Sequence, residues 1–352
     1  MVRSSSGETS LARGDDINYS TNGAMQVEAN KPGELPWVEK YRPKGLDDLV
    51  AHREIIDTIQ NFINKNALPH MLLHGPPGTG KTSTIIACAR QMFGSRMNQM
   101  TLELNASDDR GIDVVRDQIK NFVSSRNIFL QNQPKLVILD EADNMTSTAQ
   151  FALRRMIEQY ASNARFCLIC NYASQIIPAL QSRCTKFRFG PLEPKQAQER
   201  VALVAKSEGL NLAESGMDAL LRIGKGDMRR ILNILQSVAL TTSDIDDTAV
   251  HLSTGVPLPT EIDALFSVLL QSGFNDGVAL LEKLRVKQGY SLMDIVGELH
   301  RRLASIQLPG AARFALHADL ADTEYRVAQG CSEKMQIGGL VGAFHNARSL
   351  IK

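Results

Sequence analysis

Residues 75–82 read Gly75-Pro76-Pro77-Gly78-Thr79-Gly80-Lys81-Thr82. They fill the pattern G-x-x-x-x-G-K-[ST] at every fixed position. A short apolar run, Met71-Leu72-Leu73, comes before, and a helix-like stretch from Ser83 to Met92 follows. Strand, glycine-rich turn and helix in that order are the setting of a phosphate-binding loop. Glycine lets backbone N–H groups close around phosphate oxygens where a Cβ would block the turn. The helix behind the loop points its positive end at the same anion. Lys81 is then placed for the β- and γ-phosphates of ATP, and the Thr82 hydroxyl for Mg2+. A glycine-rich turn with a stray lysine is the bland alternative, and the context weighs against it.

A second signal is Leu136-Val137-Ile138-Leu139-Asp140-Glu141. Four apolar residues make a central strand and leave two carboxylates at its C-terminal end, where ligands bind in parallel sheets. Asp140 suits Mg2+, directly or through water. Glu141 is placed to orient and polarise a water against the γ-phosphate. A strand ending in an acidic turn is the alternative, and the loop at 75–82 weakens it. Asn171 follows the strand-like run Phe166–Cys170. Its amide there would position water or sense the γ-phosphate, although asparagine at a strand end is also an ordinary turn former. Residues 140–143 spell Asp-Glu-Ala-Asp, the motif that names a helicase family. That family has two tandem domains of this kind, and nothing after residue 190 supplies a second. Its Ser-Ala-Thr segment is missing as well.

The pattern of the chain divides it in four. Residues 1–33, rich in Ser, Gly, Asn and acids, are expected to be a disordered tail. Residues 34–191 alternate strands and helices. Strands are expected at Met71–His74, Thr101–Asn105, Lys135–Leu139, Phe166–Cys170 and Lys186–Phe189. Helices are expected at 52–64, 81–92, 111–123, 146–159 and 174–182. Near-continuous apolar strands suit a parallel sheet buried on both faces, so the fold class is α/β. After Pro191 the strands are expected to stop. Pro194–Glu208 and Ala213–Ile223 read as helices, and Gly224-Lys225-Gly226 ends the second. Asp227 can cap the next one, whose Ile231, Ile234, Leu235 and Val238 make an i, i+3, i+4, i+7 stripe. Residues 192–255 thus read as a small helical lid. Gly255-Val256-Pro257-Leu258-Pro259 marks another boundary. Amphipathic segments at 260–271, 275–287, 291–306, 310–328 and 333–351 then make 256–352 a helical bundle.

Composition narrows the partners. The formal net charge is +1, so a nucleic-acid surface has to be a local patch. There is no run of 18 apolar residues, so no membrane span is expected. The N-terminus lacks the apolar core of a secretion signal, which points to the inside of the cell. The five cysteines are odd in number and widely spread, against a disulfide framework. Cys167 and Cys170 form a C-x-x-C within a strand-like run, where positions three apart face opposite sides of a sheet. Without a second such pair, apolar packing is the expected role.

The run Leu104-Asn105-Ala106-Ser107-Asp108-Asp109-Arg110-Gly111-Ile112-Asp113-Val114-Val115-Arg116 resembles the replication factor C small-subunit family. So do Trp37–Pro43, Ser182-Arg183-Cys184 and Gly226-Asp227-Met228-Arg229-Arg230. Asp108-Asp109, Ile177–Gln181 and Ala321–Arg326 are most similar to one of its subunits. The resemblance runs from about residue 35 to the end of the chain. It implies an AAA+ P-loop domain with a parallel sheet, a helical lid and a C-terminal helical collar. It implies an ATPase of a hetero-pentameric clamp loader working in the nucleus with the other replication factor C subunits. That assembly opens a sliding clamp and sets it on primer–template DNA, and hydrolysis then releases it.

The resemblance also implies residue roles. Asn171 and Arg229 match the positions that sense the γ-phosphate in cis, and Arg183 matches the arginine finger that reaches the neighbouring subunit's ATP. Trp37–Pro43 matches the segment that wraps the adenine, with Val38, Tyr41 and Arg42 as the contacts. Arg110 and Arg116 match positions lining the central channel, where they would meet DNA phosphates without reading sequence. A planar guanidinium fork suits phosphate oxygens. On the residues alone, however, a solvated surface arginine is the favoured reading of Arg183, and a basic helix surface that of Arg229-Arg230. Ile119 and Phe122, three apart on one helix, read either as an apolar plug for the clamp or as core. Two functional alternatives stay open: an ATP-bound structural subunit with little turnover, or a subunit shared with another loader.

Overall fold

The computed structural model of the chain describes residues 35–46, 48–49, 51–106, 111–124 and 133–351, with 111–115 described by backbone alone. The expected tail at 1–33 and Arg110 lie outside the described residues. The chain runs through α1 (Trp37–Lys40), α2 (Arg53–Asn64), β1 (Met71–His74), α3 (Lys81–Phe93), the single turn α4 (Met97–Met100) and β2 (Thr101–Asn105). Then come α5 (Gly111–Ser124), β3 (Lys135–Asp140), α6 (Ser147–Gln159), β4 (Ala164–Cys170), α7 (Pro178–Gln181) and β5 (Thr185–Arg188). Among the described residues, these five strands form one parallel sheet in the order β2-β3-β4-β1-β5. The expected α/β architecture, with its parallel sheet, is present.

Strand period 2 sends neighbouring residues to opposite faces. Met71, Leu73, Cys167 and Ile169 join one core cluster, and Leu72, Phe166, Leu168 and Cys170 the other. Both faces are therefore buried, as apolar parallel strands require. Cys167 and Cys170 are buried packing residues on opposite faces, and burial pushes the Cys170 thiol up to about 12. Ile119 of α5 is fully buried in the second cluster and Phe122 half-buried against it. That settles the two readings of this pair in favour of core.

The stretch 174–182 is not one helix. A 3-10 turn at Ala173–Gln175 is followed by α7, with Ile177 extended at ψ 142°. Pro178 forces the break, because the residue before proline is steered away from helical geometry.

Beyond the sheet lie α8 (Pro194–Glu208), β6 (Asn211–Leu212), α9 (Glu214–Gly224), α10 (Met228–Ala239), β7 (Asp244–Ile245) and α11 (Asp247–Thr254). The strands do not stop at Pro191: β6 and β7 pair in parallel. At two residues each they are too short to leave a period in the sequence. Ile231, Leu235 and Val238 are buried together with Val201, Leu220 and Val250 in a core of their own. Trp37, Val38 and Tyr41 pack against this lid core rather than on the sheet. The last helices, α12 (Pro259–Gln271), α13 (Phe274–Gln288), α14 (Leu292–Ser305), α15 (Gly310–Ala328) and α16 (Glu333–Ile351), enclose a further apolar core around Leu265, Leu299 and Phe344. No helix among the described residues is long and apolar enough to cross a membrane.

Candidate nucleotide site

The carboxyl ends of β3, β4 and β1 lie side by side because those strands are neighbours in the sheet. They deliver Asp140-Glu141, Asn171 and the loop at 75–82 to one edge. The loop needs its glycines for two different reasons. Gly75 (φ +144°) has the Phe189 carbonyl oxygen 1.9 Å from where a Cβ would stand, and Gly78 (φ +69°) has the Asp227 carboxylate at 1.7 Å. Any side chain at either would collide with a neighbour and strain the backbone.

Lys81 is buried at the first position of α3. Its ammonium donates to the carbonyls of Gly75 (2.7 Å) and Pro76 (2.8 Å) and to Asn171 Oδ1 (3.1 Å). Burial lowers its pKa, the Asp140 carboxylate pulls it back up, and the Arg229 guanidinium lowers it further. A buried ammonium with a second cation nearby is a receptor for anionic oxygens. The Thr82 hydroxyl donates to Asp140 Oδ2 at 2.8 Å. That pair of hard oxygens fits Mg2+, which keeps water and phosphate for its remaining positions. Among the described residues there is no cluster of three or more His, Cys, Asp or Glu that would hold a metal unaided.

Glu141 sits in the left-handed region at φ 53°, and Asn144 Nδ2 donates to its Oε2 at 3.2 Å. Such a conformation costs a non-glycine residue about 1–3 kcal/mol and tends to cluster at functional sites. Asn171 is held by a contact that the sequence does not announce. Asp143 Oδ2 accepts from the Asn171 N–H (2.9 Å) and from the Tyr172 N–H (3.2 Å). The last residue of the Asp-Glu-Ala-Asp run thus fixes the end of β4.

One cavity gathers Pro77, Gly78, Thr79, Gly80, Lys81, Thr82, Asp140, Glu141 and Asn171 with Val38, Tyr41, Arg42 and Arg229. Gly75 and Pro76, the first two residues of the loop, are not among the lining residues, and their carbonyls accept from Lys81. Sequence reasoning missed other lining residues, among them His52, Arg200, Met228 and Leu232. Arg200 donates to the Tyr41 carbonyl at 2.6 Å, and Gln196, another lining residue, shares its helix α8. Their only sequence signal was a place on an amphipathic helix.

Two expected residues lie elsewhere. Arg183 is not among the residues lining this cavity. It pairs with Glu158 Oε1 at 2.5 Å and donates to the Ala179 carbonyl at 2.7 Å, with its side chain about one-third exposed. Arg116 is exposed on α5.

Comparison with known proteins agrees with this architecture. Residues 71–192 match the family described as ATPase family associated with various cellular activities (AAA), and residues 257–343 match the replication factor C C-terminal domain. Replication factor C subunit 5 of Homo sapiens is 49% identical over 327 residues, 93% of this chain and 96% of that protein. Replication factor C subunit 3 of Oryza sativa subsp. japonica is 49% identical over 89% of this chain and 88% of that protein. Plant relatives carry both numbers, since the similar Arabidopsis thaliana protein is numbered 5. A solved structure, the Thermotoga maritima RuvB Holliday junction branch migration motor, superposes with a TM-score of 0.50 at 15% identity. It covers 77% of this chain and 93% of its own, and its likeness is one of fold alone. Two domain matches and near-half identity along almost the whole length lead to one conclusion: the chain belongs to the replication factor C small-subunit family.

Proposed function

We propose that the chain is the ATP-binding and ATP-hydrolysing member of a nuclear replication factor C hetero-pentamer, which opens a sliding clamp and places it on primer–template DNA. The observation that carries this reading is the meeting of three strand ends through side chains. Lys81, at the start of α3 after the loop from β1, bonds Asn171 just past β4, and Thr82 beside it bonds Asp140 at the end of β3. Lys81 exchanges its carbonyl partners for the β- and γ-phosphate oxygens. Thr82 and Asp140 would hold Mg2+, which supplies charge neutralisation to the phosphates when bound. Glu141 orients and polarises the attacking water, and Asn171 and Arg229 contact the γ-phosphate. Val38, Tyr41 and Arg42 line the adenine side. Arg183, which does not line this cavity, serves the site of a neighbouring subunit.

Lys81→Ala tests the binding site itself. It removes the point charge at the phosphate loop, and tight Mg-ATP binding is expected to disappear in calorimetry. Wild-type affinity in the variant would show that residues 75–82 are not the site.

The DNA reading is tested on α5. In the assembled complex, Arg116→Ala is expected to weaken binding to primed DNA about equally for every sequence, and to lower the salt slope by about 1 for one lost phosphate contact. A loss that depends on base sequence, or none, would remove Arg116 from the DNA path. Arg110 is proposed for the same path from the family resemblance.

A further inference from the structure

The lid helix α10 begins directly on the phosphate loop. Asp227 Oδ1 accepts from the backbone N–H of Arg229 (2.9 Å) and of Arg230 (3.3 Å), capping the helix. The same carboxylate lies against Gly78, so closely that a Cβ on that glycine would fall 1.7 Å from Oδ1. Next to it, the Met228 N–H donates to the Gly78 carbonyl at 3.3 Å. The chain enters α10 through Lys225 (φ 51°) and Gly226 (φ 79°), two consecutive left-handed residues. Glycine takes that conformation freely, but a non-glycine residue such as Lys225 does so only where its surroundings hold it there. Core packing of Ile231, Leu235 and Val238 holds the body of the helix, and the cap and the contact with Gly78 hold its first turn against the loop.

We propose that Asp227 is the positioning residue for Arg229. It fixes the backbone of Arg229 and seats that backbone on the loop that cradles the phosphates, so that a long, rotamer-rich side chain starts from a fixed point. The proposal rests on reading Arg229 as a γ-phosphate contact. Electrostatics sharpens it. A carboxylate beside a triphosphate opposes anion binding, so its value here lies in hydrogen-bond geometry rather than charge. Asparagine caps helices as well as aspartate does and keeps the accepting oxygen without the charge.

The test is calorimetric titration of the full chain with Mg-ATP and Mg-ADP, read as the ratio of the two dissociation constants. Arg229→Ala is expected to collapse the preference for ATP. Asp227→Ala is expected to weaken ATP binding about fivefold, the scale of one lost cap, while ADP binding barely changes. Asp227→Asn is expected to restore the wild-type ratio or exceed it. In an Arg229→Ala background, Asp227→Ala is expected to add no further loss. Asp227→Gly, which also lacks the accepting oxygen but costs a helix end little, repeats the comparison if the alanine variant does not fold. An equal loss for ATP and ADP, no rescue by asparagine, or an undiminished loss in the Arg229→Ala background would each overturn the proposal and leave Asp227 a mere cap. An unchanged ratio in Arg229→Ala alone would overturn the Arg229 reading itself, and the proposal with it, and is told apart by that single variant.

Discussion

A complex assembled with Arg183→Ala in this chain is expected to turn over ATP about 10³–10⁵-fold more slowly at the neighbouring subunit's site, the range that arginine fingers contribute in other phosphoryl-transfer systems. That corresponds to roughly 4–7 kcal/mol of transition-state stabilisation. This chain's own ATP affinity is expected to stay as it was, because Arg183 is not among the residues lining its cavity. The guanidinium pairs with Glu158 and the Ala179 carbonyl at a partly exposed surface. A partly exposed ion pair is worth about 0–1 kcal/mol, small enough to be given up to a triphosphate. Replacing a solvated surface arginine would cost under about 0.5 kcal/mol, so the two readings do not overlap. Site-by-site assay of complexes containing one variant subunit decides between them. A defect confined to this chain's own site would refute action in trans, and so would no defect.

The second large effect belongs to Glu141→Gln. Turnover at this chain's site is expected to fall by about 10²–10⁴, the usual contribution of a positioned general base. ATP is expected to bind normally and stay trapped. Thr82 and Asp140 still hold each other at 2.8 Å, and an amide can still accept from Asn144. What is lost is the charge that polarises water, from a residue kept in the left-handed region at φ 53°. Unchanged turnover would take Glu141 out of the reaction. The chain would then be an ATP-bound structural subunit.

The sheet was legible because its signals are local. Buried parallel strands leave apolar runs, and the loop at 75–82 leaves its glycines. The nucleotide motifs come to one edge because strand ends do. Other features left no local trace. Pro178 stands in plain view, yet the span 174–182 between two strands reads as one helix. The pairing of β6 with β7 rests on two residues from each strand. Asp143 was read only as part of a four-letter motif, yet it holds the backbone of residues 171 and 172 through a contact 28 and 29 positions away. Arg200, on the surface of a helix, could not be linked to Tyr41 across 159 positions by any periodicity. Ile119 shows the converse: two apolar residues three apart specify a shared helix face but do not say what lies against it.

The segment Trp37–Tyr41 packs on the lid core. The Trp37 N–H donates to Gln236 Oε1 at 3.0 Å across 199 positions, and the Tyr41 hydroxyl to Glu208 across 167. During synthesis this segment emerges well before its partners. At the usual 5–20 residues per second, 199 positions correspond to roughly 10–40 s of translation. The sheet and its phosphate loop are complete in the nascent chain before the Trp37–Tyr41 side of the cavity has its partners Glu208 and Gln236. A chain stalled before α10 therefore carries the phosphate loop without Arg229 and without the Gln236 contact that holds Trp37.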